Sequence, residues 1–485
     1  MNKPIRTISV FCLVLFLALM ANATYLQYVQ AGELNDNPRN RRIIEAAYSR
    51  ERGAILVGRE TIAESRPVDD RYKFQRVYTQ PFKYAPITGA FTYFTQTGLE
   101  RSQNSVLSGD DERLFVTQLV DLAGNASPKG GSVQLTIDPA AQTAAWEGLQ
   151  ALGAGTEGAV VAIEPSTGKI LAMASSPSYD PNLLASHDFA AVIEEQKRLE
   201  ADEREPLVNR AIRTTLPPGS TFKLVTAAAA IENGLYTTAD AMVPGGASYQ
   251  LPESDSVIDN GGRDCGTRRI PFTQALENSC NTSFLAIADE LGAEKMHAQA
   301  EAFGFNSVYL DDLPLQAESR YPAGMDRPQT ALSGIGQFEV AATPLQMAMV
   351  AAGIANGGIV MKPYLVDEVT SPELDVLDKT EPRELSKAVE PATAAELTRM
   401  MVNTVNEGTA TNAQIPGIAV AGKTGTAESA EDRPPYAWFV AFAPALDPEV
   451  AVAVLVEASA NPQPEIGGNL LGAPIAKSVM EAVLR

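Results

Sequence analysis

Residues 217–234 read PPGSTFKLVTAAAAIENG, and the prediction of the fold begins with this stretch. Two prolines and a glycine precede an apolar run that Gly234 ends, so the pattern predicts a helix over residues 220–233. Ser220 and Lys223 are three residues apart and therefore share one face of its first turn. The positive end of a helix favours negative charge developing on such a serine. Lys223 can take the hydroxyl proton only when it is neutral, which requires burial or a neighbouring cation to lower its pKa.

Strand patterns lie on both sides of this helix. A strand at residues 133–138 leads to Asp138, which can cap a helix over residues 139–152. Two early strands form a hairpin and three late strands follow a mainly helical segment at about 182–360; the five strands cover residues 158–163, 169–175, 418–426, 436–442 and 450–457. A last helix is predicted over residues 473–484. We therefore expect an α/β (α+β) fold in which helices cover one five-stranded, mostly antiparallel sheet.

The N-terminus predicts the compartment. No charged residue occurs between Arg6 and Glu33, and the apolar run is long enough for a spanning helix of about 20 residues. Lys3 and Arg6 favour a cytoplasmic N-terminus. We expect a tail at 1–6, a transmembrane anchor at 7–26, an elongated β-rich module at 27–130 and the main domain at 131–485, outside the cytoplasmic membrane. A cleaved signal peptide is the alternative, because residues 21–23 (ANA) resemble a cleavage site.

Composition excludes several function classes. The chain has 38 Lys and Arg against 59 Asp and Glu and a net charge of −21, which disfavours nucleic-acid binding. It has two histidines, His187 and His297, neither in a metal-binding spacing, and three cysteines with no CxxC pair. We therefore expect no metal and no cofactor.

The cysteines divide by compartment. Cys12 lies inside the apolar segment, whereas Cys265 and Cys280 lie in the exported part, where a disulfide can persist. Closing a loop of this length contributes about 3 kcal/mol in the chain-entropy model. Two buried free thiols are the alternative.

Two further motifs can complete the chemistry of Ser220. Ser279 and Asn281 offer a hydroxyl and an amide two residues apart, and residues 423–426 (KTGT) lie on an apolar strand. Each pattern is weak alone, because Ser-x-Asn also occurs at 102–104 and 459–461, and a second Ser-x-x-Lys spans Ser166 and Lys169. That second pair lies in a predicted hairpin turn, and we reject it.

Residues 417–424 (GIAVAGKT) also fit the phosphate-binding loop pattern GxxxxGK[ST]. Such a loop follows a buried strand and begins a helix. Here the apolar residues lie inside the supposed loop and a polar, proline-containing stretch follows it, so the context is wrong for a nucleotide site.

Ser220-x-x-Lys223, Ser279-x-Asn281 and Lys423-Thr-Gly occur in this order, separated by 59 and 144 residues, and resemble the penicillin-binding protein and serine β-lactamase superfamily. The surroundings resemble the transpeptidase domain of penicillin-binding proteins, at residues 217–223, 336–337, 343–347, 356–358 and 438–444. Upstream, the chain is similar to the N-terminal pedestal of class B members, most closely the short PbpA-type group, at residues 39–41, 52–55, 97–101 and 107–109. Residues 56–59 (LVGR) depart from the usual continuation of that pattern.

The resemblance implies roles for the site residues. Ser220 is then the nucleophile and Lys223 its general base. Ser279 passes a proton to the leaving D-alanine, Asn281 holds the substrate amide, and Lys423 supplies positive potential. Thr424 and Thr426, on either side of Gly425, bind the substrate carboxylate, and the backbone N–H groups of Ser220 and Thr426 form the oxyanion hole.

As partners the resemblance implies peptidoglycan stem peptides ending in D-Ala-D-Ala, β-lactams that acylate Ser220, and a glycosyltransferase in the membrane. A DD-carboxypeptidase, a β-lactamase and a non-catalytic scaffold or sensor are the alternatives. We also expect Cys265 and Cys280 to brace the loop that carries Ser279 and Asn281.

Overall fold

The computed structural model describes residues 2–30, 48–114, 129–313, 315–427, 435–460 and 467–485. The helices, in chain order, are α1 (Asn2–Thr24), α2 (Pro81–Thr88), α3 (Gly98–Ser102), α4 (Asn104–Ser108), α5 (Pro139–Ala151), α6 (Pro181–Leu184), α7 (Phe189–Glu200), α8 (Arg210–Arg213), α9 (Lys223–Glu232), α10 (Phe272–Glu277), α11 (Asn281–Leu291), α12 (Ala293–Ala302), α13 (Arg327–Ser333), α14 (Pro344–Ala355), α15 (Pro391–Asn406) and α16 (Ala473–Val483).

The strands, in chain order, are β1 (Ile55–Val57), β2 (Glu60–Pro67), β3 (Phe74–Tyr78), β4 (Ser132–Leu135), β5 (Glu157–Ile163), β6 (Ile170–Ser176), β7 (Met242–Pro244), β8 (Ser248–Gln250), β9 (Val257–Asp259), β10 (Arg269–Pro271), β11 (Ile359–Met361), β12 (Val366–Thr370), β13 (Val376–Lys379), β14 (Glu384–Lys387), β15 (Ala421–Ala427), β16 (Tyr436–Ala443) and β17 (Val450–Ala458).

Helix α1 continues into a π-helical turn, Tyr25–Val29. The segment Lys3–Val29 is long and apolar enough to cross a membrane, and none of its most apolar window is buried against the rest of the chain. The structure is therefore consistent with an N-terminal membrane anchor.

A five-stranded sheet forms the centre of the larger domain, in the order β15-β16-β17-β5-β6, with every neighbouring pair antiparallel. Side chains alternate between its faces, as strand geometry requires. Phe439 of β16 packs on the side of α5 and α16, while Trp438 and Val440 pack on the side of α14 and α9. The prediction of two early and three late strands covered by helices is confirmed. Asp138 caps α5 by accepting a hydrogen bond from Ala141 N at 2.7 Å, as expected.

A second sheet has six strands in the order β13-β12-β4-β1-β2-β3. Strand β4 pairs in parallel with β1 and antiparallel with β12. The predicted boundary between residues 130 and 131 therefore crosses a sheet that contains strands from both sides of it. The pairings of β4 with β1 and with β12 (residues 366–370) could not be predicted from neighbouring residues, because both partners are distant in the sequence. The division into domains stays a prediction about the chain.

A buried charge cluster holds the pedestal together. The Glu100 carboxylate accepts hydrogen bonds from Arg52 at 2.8 Å and from Arg76 at 2.6 Å, and Glu100 is fully buried. Burial alone would raise the pKa of Glu100, but the charges of Arg76 and Arg52 hold it below its ordinary value. Beside this cluster, a Cβ on Gly53 would lie 1.7 Å from Gly131 O, which explains the Arg-Gly pair at residues 52–53. Residues 39–41 of the pedestal resemblance lie outside the described residues.

Candidate active site

Ser220 lies in a 3₁₀ turn, Gly219–Thr221, and the α-helix begins only at Lys223. The predicted start of the helix at residue 220 is therefore wrong by three residues, since the first turn is tightened, as is common at helix termini. Gly219 has a φ of +54°, and a Cβ there would lie 2.9 Å from Thr426 O. Glycine thus lets the turn lie directly against β15 and leaves Ser220 half-buried beside that strand.

Lys223 is fully buried behind this turn. Its Nζ lies 2.8 Å from Ser279 O, 2.8 Å from Asn281 Oδ1 and 3.2 Å from Ser279 Oγ. A carbonyl and an amide oxygen can only accept, so they match the two N–H donors of a neutral amine. The third position is a hydroxyl, which can donate as well as accept. An ammonium group can therefore donate to all three positions, and a neutral amine is also satisfied when the Ser279 hydroxyl donates to its lone pair.

Ser279 lies between two lysines. Its hydroxyl also accepts a hydrogen bond from Lys423 Nζ at 2.9 Å, and that amine donates to Thr424 O at 2.9 Å. Ser279 has a φ of +55°, in the left-handed region that is unusual for a residue with a side chain. The strained backbone turns both its carbonyl and its hydroxyl toward Lys223. One hydroxyl thus links the two amines in a chain along which a proton can move.

The two lysines share surroundings that disfavour their charged forms. Burial lowers the pKa of Lys223 well below its ordinary value, and the charges of Lys423 and Arg263 lower it further. Burial and Arg263 also lower the pKa of Lys423 well below its usual range. Because the repulsion between the two ammonium groups acts on both, the arrangement disfavours the state in which both amines are charged.

Asn281 begins helix α11 and is hydrogen-bonded at both ends of its amide. Its Oδ1 accepts from Lys223, and its Nδ2 donates to Asp259 O at 2.9 Å. The neighbouring disulfide between Cys265 and Cys280 is present, which confirms the predicted pairing. Because Cys280 separates Ser279 from Asn281, the disulfide holds the short segment that carries both site residues.

Strand β15 carries the third motif at the edge of the central sheet. Lys423 points to the side of α9, while Thr424 and Thr426 alternate to the other side. The Thr424 hydroxyl donates to Thr409 Oγ1 at 2.9 Å, and Thr426 is exposed. A Cβ on Gly425 would lie 2.9 Å from the Thr221 side chain, so this glycine lets the turn that carries Ser220 approach the strand.

The competing motifs do not assemble in this way. Lys169 lies just after the β5–β6 turn and pairs with Asp367 at 3.3 Å, which agrees with the rejection of the second Ser-x-x-Lys. Asn104 accepts a hydrogen bond from Arg52 in the pedestal. Residues 421–424 of the phosphate-loop pattern lie inside β15, so no phosphate loop forms. Asn461, in the third Ser-x-Asn pattern, lies outside the described residues.

Two residues near the site were not identified from the sequence. Thr409 bonds Thr424 through a contact between residues 15 positions apart. Arg263 donates to Ser279 O at 3.4 Å. The available signal for Arg263 was its position two residues before Cys265, because the predicted disulfide to Cys280 places that segment beside Ser279. Among the described residues, no group of three or more His, Cys, Asp or Glu side chains could hold a metal ion.

Taken together, the geometry suits nucleophilic acyl transfer. The turn that carries Ser220 directly precedes a buried lysine, and the Ser279 hydroxyl links that lysine to a second amine; a serine, a base and a hydroxyl relay are the groups that an acyl-enzyme reaction requires.

Comparison with protein families agrees with this chemistry. The family model described as the penicillin binding protein transpeptidase domain matches residues 158–481, which include all three motifs. The model described as the penicillin binding protein A dimerisation domain matches residues 52–133. The two matches together cover most of the described chain.

Individual relatives are similar over the full length. The peptidoglycan D,D-transpeptidase PbpA of Mycolicibacterium smegmatis is 44% identical, over 100% of this chain and 99% of that protein. The protein of the same name from Mycobacterium tuberculosis H37Rv is also 44% identical, with the same coverage. The penicillin G acyl-enzyme complex of M. tuberculosis penicillin-binding protein A superposes with a TM-score of 0.85 at 44% identity, covering 90% of this chain and 100% of that one. Its ceftriaxone acyl-enzyme complex gives 0.87 at 43% identity, covering 91% and 100%.

Proposed function

The chain belongs to the family of penicillin-binding protein transpeptidases, and we propose that it is a peptidoglycan D,D-transpeptidase that cross-links stem peptides through an acyl-enzyme on Ser220. The observation that carries the proposal is the placement of Lys223, Ser279 and Lys423. Their amines and hydroxyl form one connected, buried set of hydrogen bonds behind the turn that carries Ser220.

Acylation follows from this geometry. Lys223, as the neutral amine, takes the Ser220 hydroxyl proton while Oγ attacks the carbonyl carbon of the penultimate D-alanine. The negative charge that develops on the carbonyl oxygen is met by the backbone N–H groups of Ser220 and Thr426. The C–N bond then breaks, Ser279 gives its proton to the leaving D-alanine nitrogen, and the Ser279 hydroxyl regains a proton from Lys223.

Deacylation runs the same transfers in reverse. An amine of a neighbouring stem peptide gives its proton through Ser279 to Lys223 and attacks the ester carbonyl. The ester bond to Ser220 breaks and Oγ recovers its proton, which leaves a new amide cross-link. A β-lactam acylates Ser220 by the same first step, but its leaving nitrogen stays tethered through the opened ring.

The substrate meets the chain at the free edge of the central sheet. Among the strands that the structure describes, β15 has a partner on one side only, and an edge strand offers backbone groups to an extended peptide. We assign the binding of the terminal carboxylate to Thr424 and Thr426, with Lys423 as the nearby cation. Asn281 takes the substrate amide through the outer end of its side chain, while its Oδ1 holds Lys223 in place.

The membrane arrangement is the second part of the proposal. We infer that residues 7–26, within the apolar helical segment Lys3–Val29, form a single-pass anchor with its N-terminus in the cytoplasm, because Lys3 and Arg6 precede them. Residues 27–130 then form a pedestal and residues 131–485 the transpeptidase domain, both outside the cytoplasmic membrane. Cross-linking of stem peptides does not itself polymerise glycan, so we propose that a membrane glycosyltransferase supplies the glycan strands and associates with this chain.

The decisive experiment is intact-mass analysis of the full chain in detergent, with and without penicillin G, beside Ser220→Ala. We expect one drug molecule per chain, mapped to Ser220 and absent from the variant. An absent adduct with intact drug would favour the scaffold, and hydrolysed drug would indicate a β-lactamase. A D-Ala-D-Ala peptide offered with and without an acceptor amine separates transpeptidation from carboxypeptidation.

The anchor and the partner need separate tests. A cysteine-reactive, membrane-impermeant label should reach a cysteine introduced at Arg485 in intact cells and miss one introduced at Asn2. Cross-linking in membranes should recover a glycosyltransferase with the chain, and consistent recovery of the chain alone would contradict the association.

A further inference from the structure

A glycine-rich loop crosses the wall of the active site between two fixed points. Asn260, at its start, donates to Gly246 O at 2.8 Å and accepts from Thr282 N at 3.0 Å. Cys265, at its end, is joined to Cys280 by the disulfide. Gly261 and Gly262 between them both have positive φ. The loop tip is therefore irregular in backbone, yet both of its ends are tied to the segment that carries Ser279 and Asn281.

Arg263 stands at the tip of this loop. The residue as a whole is exposed, but its Nη1 donates inward to Ser279 O at 3.4 Å. That carbonyl is also the acceptor of Lys223 Nζ, at 2.8 Å. One oxygen atom thus receives hydrogen bonds from the proposed general base and from the Arg263 guanidinium, which constrains the peptide that joins Ser279 to the disulfide.

Among the described residues, Arg263 forms no ion pair with its acidic neighbours. The Asp259 carboxylate accepts from Gly261 N at 2.8 Å, and the Asp264 carboxylate accepts from Gly266 N at 3.0 Å. Both carboxylates are therefore engaged in shaping the loop. Within the ranges that the structure describes, no carboxylate lies within ion-pair distance of Arg263, Lys223 or Lys423.

The groups around Lys223 come from several elements. Helix α11 contributes Asn281 and the ring of Phe284, whose centroid is 5.5 Å from Nζ. Strand β15 contributes Lys423, through the shared hydroxyl of Ser279, and the loop contributes Arg263. The only charges in this set are positive, and the extra cation favours the neutral form of the amine.

We propose that Arg263 is a positioning residue of the reaction, which holds the Ser279 carbonyl against Lys223 and supplies an unneutralised positive charge at this wall of the cleft. The proposal rests on the function proposed above. In agreement with it, the charge of Arg263 lowers the pKa of both Lys223 and Lys423, after the larger effect of burial. Arg263 does not touch the reacting atoms; it acts through the Ser279 peptide and through its field.

The test is the pH dependence of acylation by penicillin G in the full chain in detergent. Arg263→Gln keeps a hydrogen-bond donor and removes the charge, Arg263→Lys keeps the charge, and Arg268→Gln removes an exposed charge from the same segment as a matched control. We expect the second-order acylation constant of Arg263→Gln to fall about tenfold at neutral pH and to approach that of the parent at high pH, because a partly screened charge is lost.

The pH at which the acylation constant falls on the acid side of the profile tests whether Arg263 acts through its charge. It should move to higher pH in Arg263→Gln and keep its position in Arg263→Lys and Arg268→Gln. A uniform fall of the rate at every pH, with the acid limb unmoved, would overturn the proposal, since a purely structural role has that effect. So would an Arg263→Lys limb that moves as far as that of Arg263→Gln. If the parent chain forms no adduct on Ser220, the proposed function fails instead; normal acylation by both Arg263 variants rejects only this inference.

Discussion

Asn281→Asp tests whether Lys223 must be neutral, because it alters one group beside the lysine and leaves the side-chain volume almost unchanged. In the parent chain Asn281 Oδ1 lies 2.8 Å from Lys223 Nζ. An aspartate oxygen at the same position carries negative charge and stabilises the ammonium form. The pKa of Lys223 therefore rises in the variant, and the base loses its free lone pair at neutral pH.

The magnitude follows from the distance. Two unit charges 2.8 Å apart attract by about 6 kcal/mol at an effective dielectric constant of about 20. Each factor of ten in an equilibrium requires about 1.4 kcal/mol, so the neutral fraction of Lys223 falls by about four powers of ten when the full interaction is realised. Allowing for partial solvation of the new carboxylate, we expect the acylation constant at neutral pH to fall by at least about a thousandfold.

The assay is the rate of adduct formation with penicillin G over a range of pH, followed by intact mass. The loss should shrink as the pH rises, because deprotonation of Lys223 restores the base. Asn278→Asp is the matched control: Asn278 Nδ2 also donates to a backbone carbonyl, Asp264 O at 2.8 Å, on the same segment, but has no contact with Lys223. Acylation of Asn281→Asp at the parent rate at neutral pH would show that a neutral Lys223 is not required.

Three further changes test the interactions that hold the site and the pedestal in shape. Removing the disulfide with Cys265→Ala and Cys280→Ala should lower the free energy of unfolding by about 3 kcal/mol for a sequence separation of 15 residues, measured in urea, and an unchanged value would contradict the bracing role. Glu100→Gln leaves two buried guanidinium groups without their counter-charge and should cost about 3–5 kcal/mol, seen as a lower thermal midpoint, whereas an unchanged midpoint would mean that the cluster adds nothing. Gly336→Ala places a Cβ 2.3 Å from the carbonyl oxygen of the residue before Ser220 and should slow acylation more than about tenfold. Gly234→Ala, also at positive φ but with no atom within 4 Å, should acylate at the parent rate.

Much of the secondary structure was predictable because its signals are local. The short apolar runs of β16 and β17, the Asp138 cap and the apolar run of α1 each depend on residues a few positions apart. The start of helix α9 was misjudged for the converse reason. Its first turn is tightened where Gly219 lies against β15, and that contact joins residues about 200 positions apart.

The pedestal shows the same limit. Its sheet takes β12 and β13 from residues far beyond the predicted boundary, and the pairing of β4 with β1 is parallel. Alternation within β4 indicates a strand but does not identify its partners. Backbone groups form the same hydrogen bonds with any neighbouring strand, so the sequence of β4 does not show which distant strands pair with it.

The motifs and their order predict Ser220, Lys223, Ser279 and Lys423 as one set, because the residue types indicate the chemistry of the side chains, and hydrogen bonds join the last three in the structure. The protonation states of the two lysines could not be predicted in the same way. They depend on complete burial, on the left-handed backbone of Ser279 and on Arg263, a cation that belongs to no motif. Desolvation and Coulomb forces act through space between groups that the chain brings together only on folding. The order of the motif residues thus indicates the kind of reaction, whereas the surroundings that favour the neutral base form only when the chain folds.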